Sequence, residues 1–134
     1  MKVLIADRFP DLGVRALAAG GCEVIVQPGL KAESLADAVR SSQCNVLVVR
    51  RTQVTADPLE ASPRLQLVIR AGSGVDTIDL EAAGRLGVRV SNCPGQNSVA
   101  VAELTLGLMI ALDRRIVDET DDLRRGVWNK KEYS

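Results

Sequence analysis

The sequence contains no histidine among its 134 residues. This absence removes the side chain that most often acts as a general acid or base near neutral pH, and the commonest metal ligand. Histidine-based catalytic triads and metal sites are therefore excluded for this chain alone. Cys22, Cys44 and Cys93 are odd in number and lack C-x-x-C spacing, so neither a zinc site nor a disulfide framework is predicted.

Aromatic residues and net charge are also scarce. Aromatics make up 2% of the chain, too few for platforms on which nucleic-acid bases stack. The 17 lysine and arginine residues balance 17 aspartate and glutamate residues, so no basic surplus is available for phosphate backbones or anionic lipid. We therefore expect neither a nucleic-acid nor a membrane partner. The apolar run Val3–Ala6 is too short for a signal peptide, which favours a cytoplasmic protein.

Short, continuously apolar runs alternate with helical patterns along the first two thirds of the chain. Such runs are typical of strands covered on both faces of a parallel sheet. Right-handed crossovers between them build a doubly wound sheet. The sequence therefore predicts an α/β protein with a flavodoxin-like parallel sheet of five strands. The predicted strands are Val3–Ala6, Val24–Val26, Val46–Val49, Leu67–Ile69 and a weaker Val88–Val90 nearer an edge, with helices over 10–19, 31–40, 57–61 and 80–85.

The last third of the chain follows a different pattern. From Val99 to Leu112 the helical segment is apolar almost all round, and Asn97 or Ser98 is a suitable N-cap. A helix that is apolar on every face must be covered by two bodies, either two domains or two subunits. A charged helix is predicted over 116–126, whereas 128–134 shows no obvious structure of its own.

The residues that follow the strands are the candidates for a binding site, because ligands of doubly wound sheets bind beyond the carboxyl ends of the strands. After Arg70, the run Ala71–Asp76 contains two glycines that allow a tight turn with outward backbone N–H groups, a nest for a carboxylate or phosphate. A plain glycine turn is an equally good interpretation. The third glycine of G-x-G-x-x-G would fall at Thr77, so this is no dinucleotide fingerprint.

Arg50 and Arg51 follow the third predicted strand. Guanidinium groups bind carboxylates and phosphates in bidentate fashion, and two of them beside a glycine nest suit a small polyanion. Pairing with surface acids or with water is the alternative. Asp7 ends the first strand, as in phosphate-accepting receiver domains, but Arg50 stands where such a pocket needs a second carboxylate. A receiver domain is therefore disfavoured.

An ordered series of motifs runs through the whole chain. It consists of Val49–Thr55, Arg70–Asp79, Val90–Pro94, Asn97–Leu104 and Gly126–Trp128. The series resembles the amino-terminal part of the D-2-hydroxyacid dehydrogenase family. Several motifs in the family's order are far more specific than any one of them alone.

The resemblance implies an NAD-dependent oxidoreductase with two domains. Residues 1–96 would form the substrate-binding domain, and 97–134 would supply the interdomain helix and the start of the nucleotide-binding Rossmann domain. The family's dinucleotide fingerprint and its catalytic arginine, glutamate and histidine lie further along the chain, so we expect no catalytic residue here and no activity of this chain alone. The implied reaction oxidises 3-phosphoglycerate to 3-phosphohydroxypyruvate, the first step of serine biosynthesis, with NAD bound mainly by the downstream domain.

The resemblance also implies roles for single residues. Arg50 and Arg51 would bind the anionic groups of the substrate, with Arg70 helping at the phosphate. Backbone N–H groups would bind the substrate carboxylate, Ser73 would also lie close to the nicotinamide, and Asn97 would lie at the interdomain cleft. The residues that would supply those N–H groups are Ser73, Gly74 and Val75. The family often has one more residue before the threonine than Arg50-Arg51-Thr52, which leaves the division of roles between the two arginines open.

Two further expectations concern partners. The Ser98–Arg114 helix region is expected to join subunits into a homodimer or a larger oligomer, and Lys130 and Lys131 resemble basic residues that reach a neighbouring subunit's substrate. Two alternatives stay open. The substrate could be another 2-hydroxy acid, or the chain could be a free-standing anion-binding or dimerisation module that catalyses nothing.

Overall fold

The computed structural model describes residues 1–133. The chain divides into two compact units, Met1–Gln96 and Asn97–Ser134. The first unit alternates strands and helices, and both element types begin and end within a few residues of the predicted positions. Its elements are β1 (Lys2–Ile5), α1 (Asp11–Ala19), β2 (Glu23–Val26), α2 (Ala32–Ser42), β3 (Val46–Val49), α3 (Ala56–Glu60), β4 (Leu67–Arg70), α4 (Leu80–Arg85) and β5 (Arg89–Asn92).

The five strands form one parallel sheet in the order β2-β1-β3-β4-β5. This order confirms the flavodoxin-like α/β fold. Every residue of β3 is buried, as its apolar run predicts. As the flavodoxin-like order requires, β2 is an edge strand, and its end residues Glu23 and Val26 are exposed. Its three apolar residues do not distinguish an edge strand from a central one, since both faces of an edge strand still pack against neighbours.

The core consists of one apolar layer on each face of the sheet, because successive strand residues point to opposite faces. On one face, Leu4 and Leu47 pack with buried residues of α2, α3 and α4. On the other face, Val3 and Val48 pack with Val14 and other residues of α1. The two layers hold the strands in fixed register and thereby fix the loops at the carboxyl edge.

The second unit contains α5 (Ser98–Asp113), α6 (Ile116–Arg124) and a short 3-10 helix, Lys130–Tyr133. Helix α5 is 16 residues long, apolar all round as predicted, and its side chains are largely exposed, Leu112 to 82%. Within the described residues, no helix is long and apolar enough to cross a membrane, and no cluster of three or more acidic, cysteine or histidine side chains could hold a metal ion.

The expectation that 128–134 lacks structure is wrong for the 3-10 helix; Ser134 lies outside the described residues. The Tyr133 hydroxyl donates to Asp122 Oδ2 at 2.6 Å. Arg115 lies over the Tyr133 ring, 4.9 Å from its centre, and pairs with Glu132 at 3.5 Å. These contacts join residues more than ten positions apart, so no local sequence period reveals them. The predicted helix over 116–126 is two residues shorter, because Gly126 has a left-handed φ of 76°.

Candidate functional site

The carboxyl edge of the sheet brings the loops after β1, β3 and β4 together. Ile5 is the register partner of Val48, and Val49 that of Arg70. The hydrogen bonds continue past the strand ends, since Ala6 N–H donates to Val48 O at 2.9 Å and Ala71 N–H to Val49 O at 2.7 Å. Asp7, Arg50 and the glycine loop therefore lie next to one another, which is the placement expected for a ligand site of this fold.

The Asp7 carboxylate organises the loop that follows β3. Its Oδ2 atom accepts hydrogen bonds from three consecutive backbone N–H groups, those of Arg50 at 2.6 Å, Arg51 at 3.1 Å and Thr52 at 3.2 Å. Burial acts to raise the pKa of Asp7, but the hydrogen bonds from Arg50, Thr52 and Arg51 together lower it below its ordinary value of 3.8. Asp7 is therefore ionised at neutral pH and fully engaged by the loop backbone.

Three arginines surround a depression beside this loop. Arg8, Arg50 and Arg51 are exposed and line it together with Asp7 and Gly29. No ion pair between described residues involves any of the three arginines. Pairing with neighbouring acids therefore does not account for them, and their guanidinium groups are available to an anionic ligand.

The loop after β4 is fixed from both sides. Beyond the contact to β3, Cys93 N–H donates to Gly72 O at 2.9 Å and Asn92 Nδ2 donates to Ser73 O at 2.6 Å. Within the part of the chain that the structure describes, the backbone N–H groups of Gly74 and Val75 have no protein acceptor. Two such donors on a loop held by these hydrogen bonds can receive a carboxylate oxygen.

Arg70 lies against this loop, with its side chain only 18% exposed. A Cβ added at Gly72 would meet Arg70 Nη1 and lie 2.8 Å from its Cζ. Neither Gly72 nor Gly74 has a left-handed φ, so the backbone conformation does not require glycine at these positions. Gly72 is required because a side chain there would collide with Arg70. Arg70 pairs with Asp76 at 3.9 Å, and its buried Nε has no hydrogen-bond partner among residues 1–133.

The structure brings six of the seven predicted site residues to one edge of the first unit. They are Arg50, Arg51, Arg70, Ser73, Gly74 and Val75. Asn97 belongs to the second unit, where it occupies the N-cap position of α5 with φ −109° and ψ 7°. Arg8, a third arginine of the depression, and Asp7, which organises the 50–52 loop, were not among the predicted site residues. The available signal was position, because both follow β1, the strand next to β3.

Comparison with known proteins gives a consistent result. Residues 3–133 match the family model described as D-isomer specific 2-hydroxyacid dehydrogenase, catalytic domain. The D-3-phosphoglycerate dehydrogenase of Rattus norvegicus is 41% identical over 133 residues, which are 98% of this chain and 25% of that protein. The hydroxypyruvate reductase of Thermotoga maritima is 47% identical over 90 residues, 66% of this chain and 29% of that protein.

A solved structure shows the same relationship. The NAD+-bound 3-phosphoglycerate dehydrogenase of Entamoeba histolytica has 30% sequence identity and a TM-score of 0.74, and the match covers 85% of this chain and 39% of that one. The chain spans about a quarter of the length of the curated relatives that it matches. The family model covers nearly all of it, and the resemblance drawn from the motif series is confirmed. The chain therefore belongs to the D-isomer specific 2-hydroxyacid dehydrogenase family.

Proposed function

We propose that this chain is the substrate-binding portion of an NAD-dependent D-2-hydroxyacid dehydrogenase that oxidises 3-phosphoglycerate. The observation that supports it best is the set of three exposed arginines that form no ion pair with a described residue, Arg8, Arg50 and Arg51, around one depression. The glycine loop follows β4, the strand that pairs with β3, and lies at the same edge of the sheet. The substrate has two anionic ends, a phosphate and a carboxylate. The site offers guanidinium groups for one and backbone N–H groups for the other.

In this proposal Arg50 and Arg51 bind the phosphate, and the N–H groups of Ser73, Gly74 and Val75 receive the carboxylate. The resemblance gave Arg70 a role at the phosphate; because its side chain packs against Gly72, we propose instead that its positive charge favours a carboxylate bound at the glycine loop. Fixing both ends of a three-carbon acid restricts its central carbon to one orientation. Holding the substrate in this orientation accelerates the reaction, although this chain supplies no group that makes or breaks a bond.

The chain's own residues do not fit a complete dinucleotide site. Gly72-Ser73-Gly74 is followed by Thr77 where the third fingerprint glycine is required. We therefore propose that NAD, which would accept the hydride, is bound mainly by a further domain in the longer protein, with Ser73 close to the nicotinamide and Asn97 at the cleft between the domains. Residues 1–96 and 97–134 then correspond to the substrate domain and to the start of that further domain.

An alternative substrate is an unphosphorylated 2-hydroxy acid, which the similarity to a hydroxypyruvate reductase favours. The number of arginines at the depression supports the phosphorylated acid over this alternative, because one carboxylate needs only one bidentate partner. We also propose that the Ser98–Arg114 helix region joins two copies of the protein, since its apolar side chains are exposed around the whole helix.

The substrate proposal is tested by isothermal titration of the 134-residue chain with 3-phosphoglycerate and with D-glycerate, which lacks the phosphate. Because a hydrogen bond to a charged group contributes roughly 1.5–3 kcal/mol, we expect Arg50→Ala to weaken 3-phosphoglycerate binding by about 10-fold or more. Arg64→Ala is the matched control, since Arg64 is exposed and precedes β4 at the opposite edge of the sheet. Equal affinity for the two acids, or equal losses in the two variants, would contradict the proposal.

A further inference from the structure

We propose that Asp7 is a positioning residue for the substrate phosphate, because its carboxylate fixes the backbone from which the Arg50 and Arg51 side chains project. This inference rests on the proposed function of the two arginines. It adds a residue from a different loop, which acts by holding the backbone of residues 50–52.

The loop that Asp7 holds is short and fixed at both ends. Val49 is the last residue of β3 and pairs with Arg70. Val54 forms a bridge with Ile78, and its N–H donates to Thr77 O at 2.8 Å. The residues between these two anchors include both arginines. The backbone N–H groups of residues 50–52 donate to Asp7 and not to a neighbouring strand. Arg50 and Arg51 are exposed, whereas Thr52 is half-buried, so its N–H in particular requires an acceptor.

Asp7 supplies that acceptor from a rigid element. Ala6 is fully buried, and its N–H donates to Val48 O at 2.9 Å, so the position of Asp7 is set by β1. One carboxylate oxygen then accepts from three successive N–H groups. This convergence ties the loop after β3 to the end of the neighbouring strand β1, and it restricts the directions that the two arginine side chains can take.

The negative charge of Asp7 allows two effects on ligand affinity to be distinguished, the positioning of the arginine loop and the direct electrostatic effect of the carboxylate. Arg8, Arg50 and Arg51 are the charged groups that line the depression with Asp7. A negative charge among them opposes an anionic ligand, so Coulomb's law alone predicts tighter phosphate binding when Asp7 is neutralised. Positioning predicts the opposite, because a neutral amide oxygen holds the three N–H groups less strongly than a carboxylate oxygen does. The sign of the change in affinity therefore separates the two.

The first experiment titrates the 134-residue chain with 3-phosphoglycerate and with inorganic phosphate at constant ionic strength. We expect Asp7→Asn to weaken binding of both by about 10-fold, since the charge-assisted hydrogen bonds are lost. Asp11→Asn removes the same charge from an exposed position in the first turn of α1 and is expected to change affinity by less than about twofold. Tighter binding by Asp7→Asn, or equal effects of the two variants, would overturn the proposal.

A second variant keeps the charge and moves the acceptor. Asp7→Glu places the carboxylate one methylene further from β1, so positioning predicts weaker binding although the net charge is unchanged. Wild-type affinity in Asp7→Glu would contradict the inference. This variant also decides the matter if Asp7→Asn fails to fold.

A ligand-free measurement separates the inference from the proposed function. Amide hydrogen exchange of Arg50, Arg51 and Thr52 is expected to accelerate by about 10-fold or more in Asp7→Asn, whereas that of Leu47 and Val48 in β3 stays the same. Suppose that exchange is faster in the variant and that the wild type does not bind 3-phosphoglycerate. This result would support the role of Asp7 in fixing the loop and would refute 3-phosphoglycerate as the substrate. Unchanged exchange would refute the role of Asp7, whatever the chain binds.

Discussion

Replacing Gly72 by alanine tests how Arg70 is packed beneath the glycine loop. The new Cβ would meet Nη1 of Arg70 and lie 2.8 Å from Cζ, a separation that real Cβ atoms essentially never show. The guanidinium group must therefore leave its place. Arg70 is 18% exposed, so this movement disturbs a packed side chain and not a free one.

The expected cost follows from what Arg70 loses. Inserting a methyl group into a packed site typically costs about 1–3 kcal/mol. The ion pair with Asp76 adds little, because it spans 3.9 Å and Asp76 is 79% exposed, and such pairs contribute at most about 1 kcal/mol. The displaced atoms are the far end of a flexible side chain, which can move at low cost, so the lower end of this range applies. We therefore expect Gly72→Ala to lower the free energy of unfolding by about 1 kcal/mol, measured by urea unfolding with an unchanged m value.

Two comparisons make this prediction refutable. Gly84 lies in α4 with no atom within 4 Å of an added Cβ, so Gly84→Ala is expected to stabilise the protein by about 0.5–1 kcal/mol. In an Arg70→Ala background the space beneath the loop is empty, and Gly72→Ala should then cost less than about 0.5 kcal/mol. If Gly72→Ala is tolerated as well as Gly84→Ala, or costs the same in both backgrounds, the packing described here is wrong.

The remaining predictions concern the second unit. The hydrogen bond to Asp122, with burial, raises the pKa of Tyr133 to about 12. Because Tyr133 is the only tyrosine, absorbance of its phenolate should report this value directly, and Asp122→Asn should return it towards 10. A raised pKa means that the contribution of Tyr133 to stability is complete below pH 10 and is lost as the pH rises through 12. If α5 joins subunits, Leu108→Glu on its exposed surface should convert the oligomer to monomer in sedimentation velocity, and an unchanged sedimentation coefficient would argue against that interface.

The fold could be predicted because each central strand has a local signature. Val46–Val49 is continuously apolar, and the strand is buried throughout. Helix α4 was equally clear, since Asp79 accepts a capping hydrogen bond from Ala82 N–H at 2.9 Å and Gly87 follows with a left-handed φ of 70°. The apolar run of β2 does not by itself reveal an edge strand; its edge position follows from the flavodoxin-like order.

Only the part of the candidate site that directly follows a strand in the sequence could be predicted. The arginines after β3 and the glycines after β4 are adjacent in sequence to their strands, so the rule for doubly wound sheets finds them. The hydrogen bonds of Asp7 to Arg50 and Arg51 join residues 43 and 44 positions apart, and no spacing in the sequence expresses them. The same reason explains the 3-10 helix, which depends on contacts of Tyr133 with Asp122 and Arg115.

The parallel arrangement of the strands also determines where a label or a surface can be attached to this protein without covering the candidate site. All loops that approach the arginines leave the sheet at one edge, while the turns that lead from helices back into strands lie at the other. Gly21 and Gly87 belong to those return turns and are exposed, but their left-handed φ of 81° and 70° would strain any side chain placed there. Arg64, which is exposed and precedes β4 at the same edge, is a better attachment site. A fluorophore, an affinity tag or a surface linkage placed there leaves the ligand edge facing solution, so immobilised protein should bind as the free protein does.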